Sequence, residues 1–336
     1  MASGSGPGVA GPGNPVAGAD AVTGRLRRRH LLGGALGFGA AVLAPGPLSA
    51  QPAPLPVSAR DGIPGDAPRY TDRALSAVPN EAAMPRRFWA PGLNEAYVPQ
   101  GLTVLGEEIL VAAYQSLTHD QADGPSRVFR LSRRDGSLRG SFALPEEFGH
   151  PGGLATDGQV LFAANSGIVL ALDAASLDAP DGPRPLATRR VDRSMGPAFL
   201  ACDGRSLWFG PWRKSGSPRL HAVPVQRFVE GDGHPVTPAD AVRDIPLPLR
   251  AQGAAADAEG RIWIACSAGA APGELHRLDP EDGTRLESHG APGGIEDLGF
   301  DRDGLLWSVS EAGSQRWNGW PTFFPLVFAM DVTRLR

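Results

Sequence analysis

Residues 149–173 read Gly-His-Pro-Gly-Gly-Leu-Ala-Thr-Asp-Gly-Gln-Val-Leu-Phe-Ala-Ala-Asn-Ser-Gly-Ile-Val-Leu-Ala-Leu-Asp. A glycine-rich start leads into a short apolar strand that ends at Asp157-Gly158. A second apolar strand follows, then a third in which Val169 and Ala171 alternate with Leu170 and Leu172. Strands joined by tight turns make a meander, and a lone meander cannot bury both of its faces. The unit needs neighbours of its own kind.

The pattern returns at Gln100-Gly101-Leu102, Ala198-Phe199-Leu200, Gln252-Gly253-Ala254 and Glu296-Asp297-Leu298, each followed by a turn and an apolar strand. From Gln100 through Gly152, Ala198 and Gln252 to Glu296 the steps are 52, 46, 54 and 44 residues, the period of a four-stranded β-propeller blade. The reading is an all-β chain with a single β-propeller of five four-stranded blades over residues 86–336, with six blades as the alternative. The last repeat supplies strands at 295–301, 305–310 and 325–331, and the chain then runs to Arg336 without a fourth. An open ring would expose a raw sheet edge, so residues 86–90, which include Arg87-Phe88-Trp89-Ala90, are expected to close it as the missing outer strand.

Ahead of the repeats the composition changes. Residues 1–24 are Gly, Ala, Pro and small polar residues, too poor in bulky side chains to offset the entropy of ordering them, and are expected to be disordered. Arg25-Leu26-Arg27-Arg28-Arg29-His30-Leu31-Leu32 then precedes a short apolar run ending near Ala50. A basic flank, a short apolar run and a small residue at the end make residues 25–50 an export signal of twin-arginine type, which implies a secreted or periplasmic protein. The run is too short for a permanent membrane span. Residues 51–85 are proline-rich and read as a tether. Leaving out residues 1–50 removes four arginines and one aspartate, so the formal charge moves from −4 to −7. An acidic domain has no electrostatic reason to hold phosphate backbones, which argues against nucleic acid as a partner. The chain carries no Cys-x-x-Cys or His-Glu-x-x-His pattern and no phosphate-cradling loop. Its two cysteines, Cys202 and Cys266, fall at opposite ends of neighbouring strands' directions and are expected as buried, unpaired thiols in a monomer.

The recurring Gly-Leu, turn, Leu-Trp, then Leu-Asp-Pro-x-x-Gly pattern resembles the regucalcin, gluconolactonase and NHL-repeat propellers over roughly residues 86–336. In style it resembles exported bacterial propellers with Pro-Gln-Gly-Leu, Gly-His-x-Gly-Gly and Gln-Gly motifs, here Pro99–Leu102, Gly149–Gly153 and Gln252-Gly253. In such a fold the starts of first strands and the ends of second strands meet around the axis. Aligning the repeats places Gln100, Gly152, Ala198, Gln252 and Glu296 in one ring, His150 and Arg250 two residues before it, and Tyr114, Asn165, Trp212 and Glu311 at the second-strand ends.

Two readings of this mouth compete. In one, Gln100, Tyr114, Asn165, Trp212, Arg250 and Gln252, with His150, bind a small molecule or a peptide segment. In the other, Glu296, Asp297 and Glu311 hold Ca2+ or Mg2+, which prefer such hard oxygens, while His150 or Glu296 moves a proton in lactone or ester hydrolysis. The resemblance to regucalcin-like enzymes, with their axial divalent metal, implies the second. A scaffold with ordered water in its axis is a third possibility. The insert Gly313–Phe324, with Arg316, Trp317, Trp320, Phe323 and Phe324, is expected to overhang the mouth.

Overall fold

The computed structural model describes residue 60, residues 62–230 and residues 233–336; the expectations for residues 1–24 and 25–50 fall outside these. Strand β1 is Arg86–Trp89. Blade one holds β2 Tyr97–Leu105, β3 Glu108–Gln115, β4 Ser126–Ser132 and β5 Leu138–Ala143. Blade two holds β6 Gly153–Thr156, β7 Val160–Asn165, β8 Ile168–Asp173 and β9 Pro185–Arg190. Blade three holds β10 Ala201–Cys202, β11 Ser206–Phe209, β12 Arg219–Pro224 and β13 Arg243–Pro246. Blade four holds β14 Ala251–Ala256, β15 Ile262–Cys266, β16 Gly273–Leu278 and β17 Arg285–Ala291. Blade five adds β18 Ile295–Phe300, β19 Leu305–Ser310 and β20 Leu326–Asp331.

Each blade is an antiparallel sheet in sequence order, except the last, which runs β1-β20-β19-β18. The N-terminal strand therefore closes the ring as expected, with Phe88 opposite Val327 and Trp89 opposite Leu326. Phe88 and Trp89 are buried, and Phe88 stacks on Trp307 at 5.8 Å between ring centroids. The inner strands β2, β6, β10, β14 and β18 neighbour one another around the axis. Strand β10 is two residues long, and ahead of it Ala198 N donates to Gly210 O at 3.0 Å.

The repeat signature proves to be one bonded unit. In three blades the turn aspartate between first and second strands accepts the indole N–H of the tryptophan that follows: Asp203 from Trp208 at 2.7 Å, Asp257 from Trp263 at 3.1 Å and Asp301 from Trp307 at 2.8 Å. Its other oxygen accepts turn N–H groups, from Ser206 at 2.7 Å, Arg261 at 2.8 Å and Leu305 at 3.0 Å. An aspartate with glycine one or three residues on (Gly204, Gly260, Gly304) and Leu-Trp or Ile-Trp behind it thus caps its own hairpin and anchors a bulky ring between blades. The glycines at the blade starts answer to crowding. A Cβ on Gly153 would lie 2.5 Å from Leu200 N, and one on Gly253 would lie 2.4 Å from Asp297 Cα, closer than atoms tolerate.

The proline-rich segment packs against the propeller from residue 62 onward. Leu75 and Val78 are buried in the core between the last blade and its neighbours. Ser76 N donates to Phe323 O at 2.8 Å, and Tyr70 Oη donates to Gly313 O at 2.6 Å. No helix among the described residues is long and apolar enough to cross a membrane. Both cysteines are free, and burial pushes the Cys202 thiol up to about 11 and the Cys266 thiol up to about 12. Titration of the unfolded, unreduced protein with a thiol reagent is expected to count two thiols per chain; a count of zero would contradict the strand placement.

Candidate ligand site at the axial mouth

All five ring positions, Gln100, Gly152, Ala198, Gln252 and Glu296, line a single cavity of about 370 Å3 at one end of the axis. His150, Tyr114, Trp212 and Glu311 join them, as do Arg316 and Trp317 from the last blade's insert. Blade geometry alone explains the convergence, since five first strands start and five second strands end at the same height around one axis.

Glu296 is 1% exposed and accepts one hydrogen bond, from Gln252 Nε2 to its Oε1 at 2.9 Å. Its Oε2 has no hydrogen-bond partner among the described residues. Burial, with Glu311 and Asp297 nearby, pushes Glu296 well above the usual carboxylate range, against the pull of Gln252. Glu311 Oε2 accepts from Trp317 Nε1 at 2.7 Å and from Gln100 Nε2 at 3.0 Å. Burial nevertheless pushes Glu311 up to about 7, because these two donors and the Arg316 charge recover only part of the lost hydration.

His150 stacks on Tyr114, with ring centroids 4.5 Å apart. Its Nδ1 meets Ala122 O, and its Nε2 lies 3.0 Å from Gln100 Oε1. Burial lowers its pKa, opposed mainly by the Ala122 carbonyl. Gln100 is fixed the other way round by its amide nitrogen, which donates to Pro99 O at 2.9 Å as well as to Glu311. Glutamine and histidine thus bind each other, and the pair orients Glu311.

The insert forms a roof, as expected. Phe323 and Phe324 are fully buried and anchor it, while the guanidinium of Arg316 lies 4.4 Å from the Trp317 ring centroid and reaches the Tyr114 hydroxyl. Trp320 stacks on Trp317 at 4.4 Å. From outside, Arg73 donates to the carbonyls of Asn318 and, at 2.9 Å, Pro321. The roof is clamped between core and tether, and its polar face is turned to the axis.

Three residues named from the sequence do not line this cavity. Asn165 is turned aside: its Nδ2 donates to Glu147 O at 2.8 Å and its Oδ1 accepts from Ser166 N at 2.8 Å, so Ser166 takes its place. Arg250 is exposed, in a left-handed turn at φ 62°. Asp297 lies fully buried among the inner strands. Its Oδ2 accepts from Leu154 N at 2.8 Å and Leu102 N at 3.2 Å, and its Oδ1 from Ala254 N at 3.3 Å. It therefore pins the inner strands of blades one, two and four to that of blade five. The register of β18 on β19 shifts between Ile295 and Leu298, so these two neighbours sit at an irregular place in the strand, where Glu296 lines the cavity and Asp297 takes backbone donors.

With Asp297 occupied by backbone donors and Asn165 turned away, the carboxyl groups left to the cavity are Glu296 and Glu311. That leaves Ca2+ or Mg2+ two of the three carboxyl groups expected from the sequence, with the remaining ligands to come from amide oxygens or water.

The fold and cavity together define a five-bladed β-propeller with an acidic, aromatic-walled axial mouth. No protein-family model matches the chain, and no curated protein matches it. Among solved structures, the glutaminyl cyclase of Myxococcus xanthus is similar at 13% identity, covering 74% of this chain and 94% of that one with a TM-score of 0.50. The hydrazine synthase of Kuenenia stuttgartiensis matches at 14% identity over 63% of this chain and 55% of that one, with a TM-score of 0.38. The first supports the propeller fold and nothing narrower.

Proposed function

We propose that this propeller binds a small polar ligand at the mouth of its axis, through a hydrogen-bond-donating or cationic head seated on Glu296 and Glu311. The observation that carries the reading is the Glu296 carboxyl: nearly inaccessible, in a cavity wall, with one oxygen lacking a protein partner. That oxygen is open to the cavity and free to accept from a ligand donor. Trp212, Trp317 and Tyr114 supply aromatic wall, although Arg316, Trp320 and His150 already cover the faces of Trp317 and Tyr114. The volume of about 370 Å3 suits a small ligand or the end of a longer one.

A metal-dependent lactone or ester hydrolase of the gluconolactonase type is the second reading, and His150 in the cavity wall is what favours it. Both ring nitrogens already face oxygens of Ala122 and Gln100, so His150 would have to give up one contact to move a proton. Binding without turnover needs no such rearrangement.

Thermal shift and calorimetry with methylamine, ethanolamine, glucose and gluconolactone test the readings, with an N-terminal glutaminyl peptide added because of the Myxococcus cyclase. The amines are expected to raise the melting temperature of the wild type and not of Glu296→Gln. Turnover of the lactone that is lost in His150→Ala would favour the hydrolase instead.

A further inference from the structure

A second depression adjoins the mouth. A groove of about 1010 Å3 runs outward between blades one and two, and shares Ala122, His150 and Ser166 with the axial cavity. These three residues form the border between the two spaces. Three acidic residues, Asp123, Glu146 and Glu147, line the groove, no lysine or arginine does, and none of the three acids is ion-paired among the described residues. They alternate with apolar wall from Pro125, Ala143 and Leu144.

The hydrogen-bonding character of the wall narrows the occupant. The Asn165 amide is held by Glu147 O and Ser166 N, and the His150 Nδ1 by Ala122 O. Two serine hydroxyls are the side-chain donors left: Ser126, 6% exposed in the groove wall and without a hydrogen-bond partner, and Ser166 where the groove meets the axial cavity. A peptide would bring a carbonyl acceptor at every residue and find almost no side-chain donors to meet it. A chain of ammonium groups separated by methylenes brings donors and apolar surface only, which is what carboxylates spaced by Pro, Ala and Leu accept.

We propose that the axial cavity and this groove together take a linear aliphatic polyamine, with one terminal ammonium on Glu296 and Glu311 under the tryptophans and the following ammonium groups along Asp123, Glu146 and Glu147. This rests on the reading of the mouth as a site for a donor or cationic head, and extends it to a ligand class. The Arg316 guanidinium at the mouth is held on Trp317 and on the Tyr114 hydroxyl, leaving the carboxyl groups to the ligand.

Calorimetry at 150 mM salt with butylamine, spermidine, the branched triamine tris(2-aminoethyl)amine and the peptide Lys-Lys-Lys tests it. Spermidine is expected to bind at least tenfold more tightly than butylamine, and the ratio to fall toward one in the double variant Glu146→Gln/Glu147→Gln, whose melting temperature reports that it remains folded. Spermidine binding no tighter than butylamine, or a ratio untouched by the double variant, overturns the groove while leaving the mouth. Equal affinity for the branched triamine overturns the linear chain, and tighter binding of the peptide gives the groove to a polypeptide. If butylamine itself fails to bind, the axial reading falls and this inference with it.

Discussion

Asp297→Ala is expected to lower the melting temperature by about 10 °C or more, the largest effect of any single substitution at the axis. The carboxyl group joins β18 to the inner strands of three other blades through N–H donors of Leu102, Leu154 and Ala254. Those N–H groups belong to the backbone and cannot be removed with the side chain. Each one left buried and unmade costs about 1–3 kcal/mol, against a total stability of roughly 5–15 kcal/mol for a domain. Relief of the carboxyl's own burial, which raises its pKa well above the ordinary value, offsets part of this. Asp297→Asn keeps the shape and one acceptor oxygen but turns an amide donor toward backbone donors, so an intermediate loss is expected. A melting temperature unchanged in both variants would mean that the four inner strands are not held together through this side chain.

The second large effect concerns pH. An unfolded chain gives up its glutamate protons near pH 4.3, whereas Glu311 holds its proton until about 7 and Glu296 beyond the usual range. Between these values the folded state binds more protons than the unfolded one, so rising pH favours unfolding. Buried His150, His221 and His276, whose pKa values burial lowers, work in the opposite sense. They do so only below their unfolded value of about 6.5. From pH 6.5 to about 7.5 the carboxyl groups dominate; toward pH 8.5 the buried thiols of Cys202 and Cys266, whose unfolded value is about 8.5, add to the same trend. Stability is expected to fall there by about 1.4 kcal/mol per pH unit for each carboxyl that the folded state keeps protonated.

Glu296→Gln removes a carboxyl that burial pushes well above its ordinary range and is expected to flatten the profile and to raise stability at pH 8 relative to wild type. Denaturant melts at four pH values read this directly, and a wild-type profile that rises across the interval would place the two carboxylates in water rather than in the axis. An amine ligand that prefers ionised carboxylates would release protons on binding and bind more tightly as pH rises. Stability and affinity thus move in opposite directions with pH, as expected of a site kept uncharged until occupied.

The architecture was readable because it is built from local rules repeated. The turn aspartate with an aliphatic residue and tryptophan behind it caps a hairpin in three blades, as the Asp203, Asp257 and Asp301 contacts attest. The spacing of the five blade starts set the blade number, and Arg86–Trp89 returns to the last sheet as its fourth strand, as closure of the ring required. The ring of Gln100, Gly152, Ala198, Gln252 and Glu296 followed from alignment alone, because a propeller maps equal positions in its repeats to equal places around the axis.

Side-chain direction did not follow. Whether a carboxyl faces a cavity or a neighbouring backbone depends on strands over 40 residues away in sequence, so Asp297 and Glu296, adjacent in the chain, have unlike tasks that no local pattern separates. Asn165 and Ser166 exchanged places for the same reason, since one hydrogen bond to Glu147 O across a loop turned the amide aside. The groove beside the mouth was invisible because its walls come from loops with no repeat to align. Sequence alone determined the number of blades and their closure, since these depend on periodic burial and local turns. Only the tertiary structure decided which polar groups are left without partners, because that depends on which backbone donors distant blades bring within reach.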